Sequence, residues 1–173
     1  DLQYLDYHNN EWGKPLHNDN ALFELFSLET QSSGLSWLTV LKKRDGYRKA
    51  FKNFSLETVA SYTQEDINRI FESGLIIKSR PKIEAIINNA KLFLEIKKEF
   101  ASLDNYFWSK VNHKTIINDV LDYKMACTTS EISEALAKDL KKRGFKFVGS
   151  VTIYAFMQAS GMVNDHENGC WCK

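Results

Sequence analysis

The chain is short of the residues that announce special architectures. Of its 173 residues only two are proline and three are cysteine. A proline-rich linker and a secreted disulfide framework are therefore excluded, and the odd set Cys127, Cys170 and Cys172 suits a reducing compartment. No apolar run approaches the roughly 18 residues that a bilayer crossing requires, so no membrane partner is expected. No charged-then-apolar leader is visible. The chain starts on Asp1 rather than an initiator Met, which allows for a short preceding stretch, and a cytoplasmic protein is expected. An excess of one charge is missing too: 23 Lys and Arg face 22 Asp and Glu, a net +1 that by itself favours no nucleic acid. There is no Gly-rich nucleotide loop, no metalloprotease HExxH, no nucleophile elbow and no CxxC pair. A conventional nucleophilic triad has no starting point.

What is present is ordinary globular material, 43% hydrophobic and 26% charged, enough for one buried core. Apolar residues recur with helical period almost throughout. Leu22, Phe23, Leu25, Phe26 and Leu28 form a stripe with Asp19 as the expected cap, and Ser36 is expected to cap one helix running to Phe51. Ser55 opens a short helix, and Thr63 with Asp66 has capping-box spacing for another reaching Phe71. The longest helix is predicted over 80–100, with Pro81 in its first position. Shorter ones follow from Leu103 to Val111 and from Ser130 to Arg143, where Gly144 stops the run. Residues 113–129 have no clean period and read as a connection. Val148 to Ser160 is apolar nearly all round; its length and the Gly161 stop favour a central helix over a buried strand. One all-α domain over 1–173 results.

Three features could carry chemistry. His166 and Cys170 in 164-NDHENGCWC-172 are spaced to face one ion. Zinc accepts both and takes four ligands in structural sites. Cys172, His8, His17 and His113 are the other candidates, and plain exposure of the tail is the competing reading. Glu29 closes an apolar helix before the polar bend 30-TQSSG-34. It is either a solvent-facing helix end or one wall of a concave site lined by Tyr4, Tyr7, Trp12 and Trp37. Glu11 is a second acidic candidate. Finally, basic residues gather at 42–44, 78–82 and 138–146. The segment 74-GLIIKSRPK-82, an apolar turn before a Pro-started helix, could aim backbone N–H groups at a phosphate, or simply join two helices.

Four strings, 7-YHNNEWG-13, 28-LETQSSGLSWLTVLKKR-44, 141-KKRGFKFVG-149 and 164-NDHENGC-170, closely resemble the bacterial 3-methyladenine DNA glycosylase I family, in order over essentially the whole chain. The resemblance implies an all-α, helix-hairpin-helix glycosylase that acts as a monomer on double-stranded alkylated DNA. It would cleave the N-glycosidic bond of 3-methyladenine, release the free base and leave an abasic site. By this resemblance Glu29 recognises the base and stabilises its charge, Trp37 stacks on it, and Tyr4, Tyr7 and Trp12 belong to the pocket. The hairpin falls on residues 70–83, with Ser79, Arg80 and Lys82 gripping phosphates. A structural Zn2+ clasp would use His8, His166 and Cys170, with the fourth ligand a Cys upstream of residue 1 and Cys172 a substitute. This chain departs from the family at Thr30, Ser32 and Ser33, and in placing Gly74 before Leu75. A damaged-DNA or methylated-base binding module with weak catalysis is the alternative.

Overall fold

The apolar stripe on 19–31 becomes the helix around which the rest of the chain packs. In the computed structural model, which describes residues 1–173, this helix α2 (Asp19–Gln31) follows an N-terminal helix α1 (Leu2–Asn10). Phe26 of α2 meets Phe93, Phe107, Phe145 and Phe156 at ring-centroid distances of 4.9, 5.8, 6.0 and 5.4 Å. Three of these contacts are edge-to-face, which adds about 0.5–1.5 kcal/mol each to the burial of the rings. The partners come from α7 (Arg80–Phe100), α8 (Leu103–Ser109), the loop after α9 (Glu131–Lys142), and α10 (Ser150–Ala159). One connected cluster of 38 buried residues results.

Caps explain where the helices start, and two differ from expectation. Asn18, not Asp19, caps α2 by accepting from Ala21 N at 2.9 Å. The Asp19 carboxylate instead accepts from Leu103 N and Asp104 N at 3.2 and 3.0 Å, serving the start of α8 from 84 residues away. Ser79 takes the N-cap position of α7, which moves Pro81 to the second helical residue. The Thr63–Asp66 capping box forms at the head of α6 (Gln64–Glu72). Ser130 and Ser133 form another at α9, and Gly144 follows that helix with φ +96°.

The helix expected from Ser36 to Phe51 is broken in two. Ser36 caps α3 (Trp37–Leu41), accepting from Thr39 N at 3.2 Å, but the chain turns at Lys42–Lys43 and restarts as α4 (Arg44–Ala50). Arg44 decides the turn. Its guanidinium is bidentate on Glu11 at 2.8 and 2.8 Å and reaches Glu24 at 2.9 Å, while Arg48 also grips Glu24 at 2.8 Å. An unbroken helix would carry Arg44 away from both acids. Arg44→Ala is expected to lower stability by about 2–4 kcal/mol, because Glu24 (13% exposed) loses a compensating charge; the urea unfolding midpoint measures it. After α4 the chain passes through the short helix α5 (Leu56–Ala60) to α6. Between α6 and α7 runs the turn 73–79, packed so tightly on α4 that a Cβ at Gly46 would stand 1.8 Å from the Leu75 carbonyl oxygen.

Helix α1 is not visible in the hydrophobic pattern. Tyr7 is its sole buried residue, and its first turn is held by Asp1 accepting from Tyr4 N at 3.1 Å. The face that carries Tyr4, Tyr7 and His8 borders a cavity rather than the core. The connection 113–129 contains β1 (Ile116–Ile117), which pairs in parallel with β2 (Val163–Asn164) to form the one two-stranded sheet. That ladder and Gly161, whose Cα abuts the Lys14–Pro15 backbone, bring the C-terminal tail alongside α1.

Candidate base-binding cavity and metal cluster

Where α1, the end of α2 and the start of α3 converge with the tail, they enclose a cavity of about 890 Å3. Tyr4, Tyr7, Trp12, Trp37 and Glu29 all line it, so the structure gathers every pocket residue expected from the sequence. Tyr7 and Trp37 make one aromatic wall, with ring centroids 5.2 Å apart and planes 42° apart. The indole Nε1 of Trp37 is buried without a hydrogen-bond partner. Tyr4 is half exposed. Burial and the neighbouring Glu29 push the Tyr7 hydroxyl far above its ordinary range.

Glu29 is the chemical centre of this space. It lies in the last turn of α2, is 7% exposed, and its carboxyl faces the cavity without a protein hydrogen-bond partner. Burial alone raises its pKa from 4.5 to about 8. At neutral pH the resting site therefore holds mainly a carboxylic acid, which can donate one hydrogen bond and accept another. That pair of capacities matches a nucleobase edge that offers an amino group beside a ring nitrogen.

Asp165 is a cavity residue that the sequence did not reveal. It is 3% exposed, and its oxygens accept from Asn118 Nδ2 at 2.7 Å, Tyr154 OH at 2.6 Å and Gln158 Nε2 at 2.9 Å. The only sequence signal was its place beside His166. Tyr123 and Gln158 also reach the cavity, from a loop and a helix with no pattern to mark them.

The tail and α1 bring His8, His166 and Cys170 together, their ligand atoms all within 4.8 Å of one another. Each histidine has its Nδ1 against an asparagine side-chain oxygen, His8 on Asn9 at 2.9 Å and His166 on Asn164 at 3.0 Å. Those contacts favour the Nδ1–H tautomer and leave the Nε2 lone pair free, as metal-ligating histidines require. The Nε2 of His166 is in fact buried with no protein partner. Trp12 packs edge-on to His166 at 4.6 Å, so its ring supports this cluster as well as the cavity. Cys172 is not in the group: its thiol lies 3.9 Å from the Asn9 carbonyl and side-chain oxygens. Gly13 guards the cluster sterically. It has φ +81°, and a Cβ there would come within 2.6 Å of His166 Cε1. Gly13→Ala is expected to displace that ring and cost about 1–3 kcal/mol in stability, read as a lowered urea unfolding midpoint.

The expected phosphate-gripping residues divide. Ser79 caps α7 without a side-chain cap bond. Arg80 lies over the Phe71 ring, 4.4 Å from its centroid, and donates to Asn68 Oδ1 at 2.7 Å. Lys82 does not face outward with them. It turns inward, its ammonium donating to Gln31 O at 2.8 Å and Ser33 O at 2.7 Å. In the other two basic clusters, Arg44 is held by Glu11 and Glu24, and Arg143 by Glu99 and Asp139.

A helical fold with a buried acid in an aromatic cavity beside a helix-turn-helix segment defines a class of proteins that handle everted bases. The family profile for methyladenine glycosylase matches residues 1–173, and the chain belongs to that family. The DNA-3-methyladenine glycosylase of Haemophilus influenzae is 49% identical over 98% of this chain and 92% of its own length. The DNA-3-methyladenine glycosylase 1 of Escherichia coli is 45% identical over 99% of this chain and 92% of its own. A crystal structure of a tyrosine-to-phenylalanine variant of 3-methyladenine DNA glycosylase I in complex with 3-methyladenine superposes with a TM-score of 0.97. It is 40% identical, covering 100% of this chain and 93% of that one.

Proposed function

We propose that this protein excises 3-methyladenine from alkylated duplex DNA by cleaving the N-glycosidic bond, leaving an abasic site. The observation that carries the reading is Glu29, a buried carboxyl with no protein partner that faces an aromatic cavity. A glycosylase must take its base out of the stack and hold it in such a pocket. In DNA the methylated base is cationic, and both the Tyr7–Trp37 wall and Glu29 favour a cation over neutral adenine. When the cation arrives, its positive charge lowers the Glu29 pKa from its resting value of about 8, the carboxyl proton is released to water, and the pair becomes ionic. The bond from C1′ to the base then breaks with its electron pair on the base, which leaves neutral. Water adds to C1′ and loses a proton. Ser79 and Arg80 at the head of α7 are placed to hold the backbone beside the lesion, with the open N-terminal amides of α7 as further donors.

The residues present also fit a zinc ion. His8, His166 and Cys170 would hold it, with a Cys preceding residue 1 as the fourth ligand the family resemblance implies. Two oriented histidines and the partnerless Nε2 of His166 support the fit. The ion would supply structural cross-linking of the chain ends. Incubating the folded, metal-loaded protein with alkylated DNA and chromatographing the small-molecule fraction tests the function. Free 3-methyladenine is the expected product, and its absence sinks the reading, leaving a binding module.

A further inference from the structure

Lys82 occupies an electrostatically wrong place on its own helix. It is the third residue of α7, where the peptide dipoles concentrate partial positive charge, and no acidic residue in that turn offsets it. The compensation comes from another helix. Carbonyls at the end of α2 have no intrahelical N–H to meet, and Lys82 Nζ reaches Gln31 O and, just past the helix, Ser33 O at 2.8 and 2.7 Å. The contact is reciprocal: Gln31 Nε2 donates to the Lys82 carbonyl at 3.0 Å, and Tyr47 OH holds Gln31 Oε1 at 3.0 Å.

Those carbonyls lie between two cavity walls. Glu29 precedes Gln31 by two residues, and Trp37 follows Ser33 by four. The intervening turn is otherwise held by its own neighbours, through Ser32 N and Oγ on Glu29 O and Leu35 N on Ser32 O. The Lys82 ammonium supplies the one hydrogen bond to the 32–36 turn from elsewhere in the chain. A lysine suits the task, because its flexible stem and three rotating donors can satisfy two carbonyls at once.

We propose that Lys82 is a positioning residue, fastening the turn between Glu29 and Trp37 to the first turn of α7 so that the hairpin and the base-holding walls keep one geometry. The proposal rests on the reading of Glu29 and Trp37 as base-holding residues. It separates cleanly from a phosphate contact, because binding of the free base needs no DNA.

The test measures free 3-methyladenine affinity, and undamaged-duplex affinity across salt concentrations, for wild type, Lys82→Met, Lys82→Gln and Glu29→Ala. Lys82→Met is expected to weaken free-base binding about tenfold and to leave the salt slope of duplex binding unchanged. A slope shallower by about 0.9 with intact free-base affinity is the signature of a lost phosphate contact and overturns the proposal. A lowered Tm with unchanged free-base affinity overturns it as well, since that marks a purely structural lysine. If Lys82→Met does not fold, Lys82→Gln, which keeps a donor for one carbonyl, is expected to lose about threefold, and wild-type affinity there is equally fatal. Should Glu29→Ala bind the free base as wild type does, it is the reading of Glu29 that fails. Loss in Glu29→Ala with none at Lys82 removes the positioning role alone.

Discussion

Glu29→Gln is expected to make the resting protein more stable while slowing base excision by about two to three orders of magnitude. The activity loss follows from removing the one cavity carboxyl without a protein partner, at the scale seen when a single preorganised charge-stabilising group is deleted. The stability gain follows from proton linkage. The folded-state pKa of about 8 lies above the ordinary 4.5. Between those values the folded protein binds the proton more tightly than the unfolded chain does. Stability therefore falls as pH rises through that window, by about 1.4 kcal/mol per pH unit, and is flat on either side. At pH 7 the native glutamate costs about 3 kcal/mol, and glutamine, which has no charged form to desolvate, removes that cost. Denaturation curves at pH 4.5, 7 and 8.5 should show the variant's advantage vanishing at the lowest pH. A variant whose advantage does not grow with pH refutes the buried-acid account, and one that excises at the wild-type rate refutes the role in chemistry.

Removing the zinc ion proposed for His8, His166 and Cys170 should have the second largest effect, and a local one. The tail 164–173 carries only two buried side chains, Asp165 and His166. The tail is otherwise fastened by hydrogen bonds to the loop 118–123, such as Asn168 N on Val120 O at 2.8 Å and Tyr123 N on Glu167 Oε1 at 2.8 Å. With the ion gone, the ligand side chains lose the contact that orders them, and both segments should open together. The central cluster around Phe26 does not depend on the tail. Chelation is thus expected to cost about 3–5 kcal/mol and to lower Tm by roughly 10 °C. Amide exchange should rise in 118–123 and 164–173 while α2 and α7 keep their protection. Metal-free protein with unchanged Tm and exchange would rule out a structural ion. Unfolding of the whole domain would contradict the independence of its core.

The difference between what could and could not be read from the chain has a common cause in range. Local rules succeeded at most positions whose partner lay within one turn. Ser36, Thr63 and Ser130 cap the helices expected of them, and the apolar stripe of α2 is buried as its period requires. They failed at Asp19, whose partners are 84 and 85 residues distant, and at Arg44, whose acids stand at the C-cap of α1 and on α2, where the chain turns instead of continuing the helix that local pattern favours. Helix α1 escaped notice because a helix that lines a cavity has no apolar stripe to display.

By itself the sequence determined a helical protein, the caps at Ser36, Thr63 and Ser130, its family, and which residue types could face a methylated base or a metal. These follow from periodicity and from long strings at fixed spacing. Only the tertiary structure decided that Glu29 is buried without a partner and so rests as an acid, that Asp165 joins its cavity, and that Lys82 turns toward the base-binding loop rather than outward. Ionisation state and side-chain direction depend on what surrounds a group in space, and those surroundings come from distant parts of the chain.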